Sequence, residues 1–231
     1  MGYYPVFLDL GAEPCVVVGG GEVAERKVAS LLEAGARVTV VSPELTPALA
    51  ALAETHEILH HPRCYRRGDL AGAVLAYAAT ADEALHEEIA IEAAEARVLL
   101  NVVDRPRLCT FIVPSVLRRG PVAVAISTGG ASPALARRLR QDLEPAVGPE
   151  YAVAAAILGR VRVRVAASAG EESERARLFT SLVDALLEAL RARDAGAVDA
   201  ILTGLAGEGT TLAALGISLG EPLAPDTGDG P

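Results

Sequence analysis

Cys15-Val16-Val17-Val18-Gly19-Gly20-Gly21-Glu22-Val23-Ala24-Glu25-Arg26-Lys27 joins an apolar run to a stretch of helical spacing through three glycines. It reads as a strand, a glycine turn and the start of a helix. Taken as Gly19-x-Gly21-x-x-Ala24, it fits the dinucleotide-binding pattern. In that pattern the first glycine makes the tight turn, the second admits a pyrophosphate and the small third residue lets helix and strand pack closely. The pyrophosphate would meet the free N–H groups and the positive dipole end of the helix. The alternative is a plain glycine turn, and the surrounding chain decides between the two.

Outward from this turn the first half of the chain alternates. Strands are expected at Val6–Leu10, Cys15–Val18, Val38–Val41, Ile58–His61, Val74–Ala78 and Val98–Val102, with helices from Glu22, Pro43 and Asp82. Such alternation predicts a parallel sheet with crossover helices, an α/β Rossmann-type domain. Ala24, Val28, Leu31 and Leu32 share one face of the first helix, and Gly35 closes it. Ser42-Pro43 offers the next helix an N-cap and a first-turn proline, and Thr80 with Glu83 can form a capping box.

From Phe111 the pattern changes. Two short apolar runs, Phe111–Leu117 and Val122–Ser127, flank Arg118-Arg119-Gly120-Pro121 as a hairpin would. Ser132-Pro133 then starts a helix bearing Ala134, Leu135, Leu139 and Leu143, and helical stretches follow over Glu150–Ala167, Glu171–Arg193 and Ala197–Leu205. The expected domains are 1–113 (nucleotide binding), 114–145 (a small α+β domain) and 146–205 (helical), with 206–231 a Gly- and Pro-rich flexible tail.

Composition excludes several classes. The chain has 231 residues, 51% of them hydrophobic, no Trp and a net charge of -9, which argues against nucleic acid or an anionic membrane as a partner. Cys15, Cys64 and Cys109 are odd in number and widely spaced, so no disulfide framework is expected. With no signal-peptide pattern and no apolar run of membrane-spanning length, the expectation is a soluble cytoplasmic protein.

Ligands of such a sheet bind beyond the carboxyl ends of its strands. The second strand ends Ser42-Pro43-Glu44, where an acidic residue commonly binds ribose hydroxyls, and no Arg or Lys directly follows it, which favours NAD over NADP. Ala78-Ala79-Thr80 ends the fourth strand with small residues that would let a nicotinamide ribose approach, and Thr80 can also cap a helix. Asn101-Val102-Val103-Asp104 brings a carboxylate to the same edge, either as a proton acceptor or as a loop cap ahead of Arg105-Pro106.

Between Arg105 and Arg140 there is no acidic residue but seven arginines, including Arg118, Arg119, Arg137 and Arg138, which leaves -16 on the rest of the chain. So uneven a partition suggests docking of a polyanionic small molecule. Thr128-Gly129-Gly130 is a second glycine turn at a helix start, able to hold a carboxylate or merely to reverse the chain. His60-His61 with Cys64 carries metal-ligand residue types, but neighbours on a strand point to opposite faces and no second half follows, so no metal site is expected. Lys27, the single lysine, reads as a surface charge.

Taken together, Gly19–Lys27, Glu33-Ala34-Gly35-Ala36, Ala78-Ala79-Thr80, Asn101–Asp104, Phe111-Ile112-Val113-Pro114-Ser115 and Ser127–Pro133 closely resemble the precorrin-2 dehydrogenase family, the oxidase and ferrochelatase region of siroheme synthase. The resemblance is specific over residues 1 to 145 and looser to about 205. It implies NAD-dependent oxidation of precorrin-2 to sirohydrochlorin, followed in some members by ferrous-iron insertion, in a homodimer interlocked through the segment after Phe111. Matched to the family, Gly19, Gly21, Glu22 and Val23 belong to the pyrophosphate loop, Pro43 and Glu44 lie near the adenosine ribose, and Asp104 is the aspartate proposed for dehydrogenation and chelation. Thr128 stands where some relatives have serine. The methyltransferase region of fused siroheme synthases is expected to be missing, so that precorrin-2 comes from another protein. A competing expectation, an NAD-sensing regulatory module, accounts for the first hundred residues but not for Asp104 combined with the arginine segment and the helices.

Overall fold

A computed structural model describes residues 2–168 and 172–219 of the chain. The chain divides into two compact units, 1–113 and 114–231.

In the first unit the order is β1 (Pro14–Val18), α1 (Glu22–Glu33), β2 (Arg37–Val41), α2 (Pro47–Glu54), β3 (Ile58–His61), β4 (Leu75–Ala78), α3 (Glu83–Ala96) and β5 (Leu99–Val102), followed by a 3-10 turn at Pro106–Leu108. The five strands form one parallel sheet in the order β3-β2-β1-β4-β5. Side chains alternate along each strand, and both faces of the sheet are covered. Cys15 and Val17 pack with Val38, Val40 and Tyr77 against Ala24, Val28 and Leu31 of α1, while Val16 and Val18 pack with Ala76, Leu100 and Val102 against Ile89 and Ala93 of α3. The chain runs outward from β1 to β3 and then returns to β4 on the other side of β1, so the order reverses at β1, where α/β sheets open a crevice for ligands. Register fixes what meets there. Val41, Val18 and Ala78 are level across the sheet, as are Ala78 and Val102, so Ser42, Gly19, Ala79 and Val103 emerge side by side.

The loop between β3 and β4 is held by a buried carboxylate on α3. Glu92 accepts from Tyr65 Oη (2.5 Å), Gly68 N and Leu70 N (both 2.9 Å), and Asp69 pairs with Arg63 at 2.7 Å.

Three local expectations are corrected. Val6–Leu10 forms no strand: both neighbours of β1 are taken by β2 and β4, and Val6, Phe7 and Leu8 lie exposed without secondary structure. The helix expected from Pro43 begins at Pro47, where Thr46-Pro47 repeats the cap-and-proline signal and Thr46 Oγ1 accepts from Leu49 N. Asp82, not Thr80, caps α3 by accepting from Ala84 N.

In the second unit β6 (Ser115–Arg119) and β7 (Val122–Ile126) form an antiparallel hairpin, followed by α4 (Pro133–Leu143), α5 (Glu150–Ser168), α6 (Glu172–Arg191) and α7 (Ala195–Ala206). Phe111, expected in the hairpin's first strand, instead meets Tyr77 edge-on in the first unit, with ring centroids 5.6 Å apart. Ser132 caps α4, as its position before Pro133 suggests. Ile157, Val161, Leu186, Val198 and Leu202 build the core of α5, α6 and α7. Residues 207–219 pack onto this core rather than running free: Leu212 and Ile217 are buried and Asp199 Oδ1 accepts from Leu212 N. The remainder of the expected tail lies outside the described residues. Among the described residues no helix is long and apolar enough to cross a membrane.

Candidate functional site

The glycine turn is built by three different constraints. Gly19 has φ +121°, and a Cβ there would lie 2.4 Å from the Ala79 carbonyl oxygen. Gly20 has an ordinary φ, yet its Cβ would lie 2.0 Å from the Glu44 carbonyl oxygen and 2.8 Å from Ser42 Oγ. Gly21 faces open space, with no atom within 4 Å of a Cβ. Gly19 and Gly20 are therefore required by the walls pressed against them, whereas the room at Gly21 is left for something else.

Gly21 is also the N-cap of α1, and no side chain caps that helix, although Thr46, Asp82, Ser132 and Asp194 cap α2, α3, α4 and α7. The N–H groups of Glu22 and Val23 in its first turn point out of the helix end without an intrahelical acceptor. This is the arrangement that binds an anion such as pyrophosphate.

Beside it opens a cavity of about 480 Å3 lined by Gly20, Gly21, Ser42, Pro43, Glu44, Leu45 and Thr46. The sequence-predicted cofactor residues Gly21, Ser42, Pro43 and Glu44 therefore meet around one space. Ser42 is buried and its hydroxyl donates to the Glu44 carbonyl (2.7 Å), shaping the loop, while Thr46 N donates to Gly20 O (2.9 Å) and ties that loop to the turn. Glu44 is exposed on the cavity wall, and no Lys or Arg lines it. A ribose diol fits a carboxylate there, and a 2′-phosphate would be repelled by it. Thr80 and Asp104 are not among the lining residues.

Thr80 lies across the turn. Its hydroxyl accepts from Asp82 N (3.2 Å), and its carbonyl accepts from His86 Nε2 (3.0 Å). Asp104 follows Val103 at the same sheet edge, in the left-handed region (φ 57°). It is exposed, and among the described residues its carboxylate takes no hydrogen bond or ion pair, so it does not cap the loop. The loop is held instead by Cys109, whose Sγ bonds the backbone of Val102 and Arg105, and by the pairing of Arg105 with Glu83. Burial raises the Cys109 thiol pKa above its usual value, which keeps it a neutral structural donor.

In the second unit the arginines separate into committed and free. Arg138 pairs with Asp142, Arg140 with Glu144, and Arg119 Nε donates to the Val147 carbonyl (3.0 Å). Arg107, in the first unit, pairs with Glu87. The guanidinium groups of Arg118 and Arg137 are exposed and make no such bond among the described residues. Thr128 closes its own turn, its Oγ1 donating to Ser132 O and accepting from Ser132 N.

Sequence reasoning missed Gly20, His60 and His86. His60 Nε2 bonds Ser42 O (2.9 Å), and His61 Nδ1 meets Arg63 rather than joining His60 and Cys64. No group of three His, Cys, Asp or Glu able to hold a metal occurs among the described residues. Lys27 is half-buried over the Tyr77 ring, 5.1 Å from its centroid, rather than a free surface charge.

A family described as "Putative NAD(P)-binding" matches residues 6–115, and one described as "Sirohaem biosynthesis protein central" matches residues 119–145. The siroheme synthase of Thioalkalivibrio sulfidiphilus is 45% identical over 184 residues, covering 80% of this chain and 38% of the relative. Siroheme synthase 3 of Aeromonas hydrophila is 41% identical over 207 residues, covering 89% and 44%. The chain thus spans less than half the length of these relatives. Among solved structures, SirC, a precorrin-2 dehydrogenase, matches with a TM-score of 0.69 and 25% identity, over 86% of this chain and 98% of that one.

Proposed function

Because this chain belongs to the siroheme synthase and precorrin-2 dehydrogenase family, we propose that it oxidises precorrin-2 to sirohydrochlorin with NAD. The observation that carries this reading is Asp104, a carboxylate without a partner among the described residues, held at the sheet edge where the glycine turn emerges. NAD supplies the hydride acceptor. The reaction converts precorrin-2 and NAD+ to sirohydrochlorin, NADH and one proton, and Asp104 accepts that proton.

The remaining residues bind and orient. The uncapped start of α1, at Gly21, Glu22 and Val23, holds the pyrophosphate, and Glu44 takes the adenosine ribose hydroxyls. Ser42 and Thr46 shape the wall on one side of the turn, and Thr80 forms part of the other. Arg118 and Arg137, the guanidinium groups of the arginine segment that are left free among the described residues, bind substrate carboxylates. Arg119 and Arg138 contribute to that field while anchored to Val147 and Asp142. Thr128 presents its turn to the same substrate.

Iron insertion is the second step of the proposal. Sirohydrochlorin takes Fe2+ and releases two pyrrole protons, which the exposed Asp104 carboxylate accepts one at a time and passes to water, and the macrocycle supplies the metal's ligands. The protein acts as a homodimer, a reading supported by Leu135, Leu139 and Leu143, which line one face of α4 and are all exposed in the single chain. Its three free cysteines suit the reducing cytoplasm.

Incubation with precorrin-2 and NAD tests the reading. Formation of NADH together with the sirohydrochlorin chromophore is the expected result. Tight NAD binding without turnover would make the chain a nucleotide sensor instead.

A further inference from the structure

The two walls of the cofactor cleft are each fastened by an imidazole. Gly20 is pressed against the Ser42–Glu44 loop on one side of β1, and Gly19 against Ala79–Thr80 on the other. His60, on edge strand β3, reaches past the end of β2 to bond Ser42 O at 2.9 Å, and His86, on α3, bonds Thr80 O at 3.0 Å. We propose that His60 and His86 are positioning residues for the dinucleotide, each setting one wall of the cleft through a main-chain carbonyl. The proposal rests on the NAD reading given above.

A carbonyl oxygen only accepts, so each imidazole must carry its proton on Nε2. For His86 this choice has a cost. His86 is 6% exposed, and its Nδ1 is buried with no hydrogen-bond partner among the described residues. Buried polar atoms are almost always paired, and an aliphatic residue would fill the same helix face without leaving an acceptor stranded. The bond to Thr80 is what the histidine provides there and a leucine could not. The walls so held cannot drift without consequence, because Ala79 O and Glu44 O already lie where the first Cβ atoms of the turn would be. A shift of either loop moves the turn and the N–H groups of α1 that follow it.

The intact chain carrying His60→Leu, His60→Gln, His86→Leu or His86→Gln tests this. Glutamine places an N–H near the imidazole Nε2, and leucine removes it. Titration with NADH, followed by its fluorescence, should show binding weakened roughly tenfold in each leucine variant and kept within about threefold of the parent in each glutamine variant. In turnover the loss should fall in KM for NAD rather than in kcat. Long-range 1H–15N spectra of the parent should show a proton on Nε2 of both rings.

A folded leucine variant that binds NADH like the parent overturns the proposal for that wall, as does a glutamine variant that restores nothing. A His86 ring without a proton on Nε2 overturns it without any variant. If a leucine variant does not fold, the glutamine variant and the parent spectrum decide. A parent that fails to bind NADH sinks the functional reading instead, and the ring protonation then still reports on whether the latches exist.

Discussion

Gly20 and Gly21 are neighbours in the turn but answer to different neighbours in space. At Gly20 a methyl group would strike the Glu44 carbonyl at 2.0 Å, so Gly20→Ala must push the β2–α2 loop outward. We expect a loss of about 2 kcal/mol of stability, seen in denaturant melts, together with weaker NAD binding. At Gly21 a methyl group meets nothing of the protein. Gly21→Ala should hold stability within about 0.5 kcal/mol while NAD affinity falls, and Gly21→Asp should lower affinity further by adding like charge. Unchanged affinity in both Gly21 variants would place the pyrophosphate elsewhere. Asp104 is the complementary case, since its carboxylate bonds no other group among the described residues. Asp104→Asn should melt like the parent and bind NAD as tightly, yet lower kcat for precorrin-2 oxidation roughly 100-fold. Oxidation at the parent rate would remove Asp104 as the base.

At the scale of elements, the hairpin and α4 divide their arginines between structure and function. Arg119 fastens β6 to the chain at Val147, so Arg119→Ala should cost about 1 kcal/mol, measurable by thermal melting. Arg118→Ala and Arg137→Ala should leave the melt unchanged and raise KM for precorrin-2; an unaltered KM in the double variant would assign carboxylate recognition to other residues. The loop between β3 and β4 makes a pH-dependent prediction. Hydrogen bonds from Arg63 hold the Asp69 carboxyl below its usual pKa, so the folded state binds that proton less readily than the unfolded chain. The resulting stability is present above the unfolded value of about 3.9 and disappears as the pH falls through the lower folded value. Melting temperature should therefore drop below about pH 4, and Asp69→Asn should flatten that part of the profile.

For the whole molecule the telling feature is an apolar stripe that no described residue covers. Leu135, Leu139 and Leu143 share a face of α4 and are 51%, 41% and 37% exposed, while Ala136 turns inward. We expect the parent to sediment as a dimer and the double variant Leu135→Asp, Leu139→Asp to sediment as a folded monomer. A double variant that still sediments as a dimer would place the interface on another surface.

The chain's own order of residues determined what short-range geometry controls. The strand–glycine–helix unit, the inward face of α1, the Ser132-Pro133 start of α4 and the hairpin around Gly120-Pro121 each depend on neighbours a few positions away, and each was legible. So was the meeting of Gly21, Ser42, Pro43 and Glu44 around one cavity, since parallel strands in register bring their carboxyl ends to a common edge. The tertiary structure alone decided which partners those residues meet. Val6–Leu10 has a strand's composition but pairs with no strand, Gly20 is demanded by a carbonyl 24 residues further on, and His60 and His86 are used by carbonyls that no spacing rule selects. A hydrogen bond or a steric limit between distant segments belongs to the folded arrangement, because it forms only after the sheet has brought both segments to the same edge.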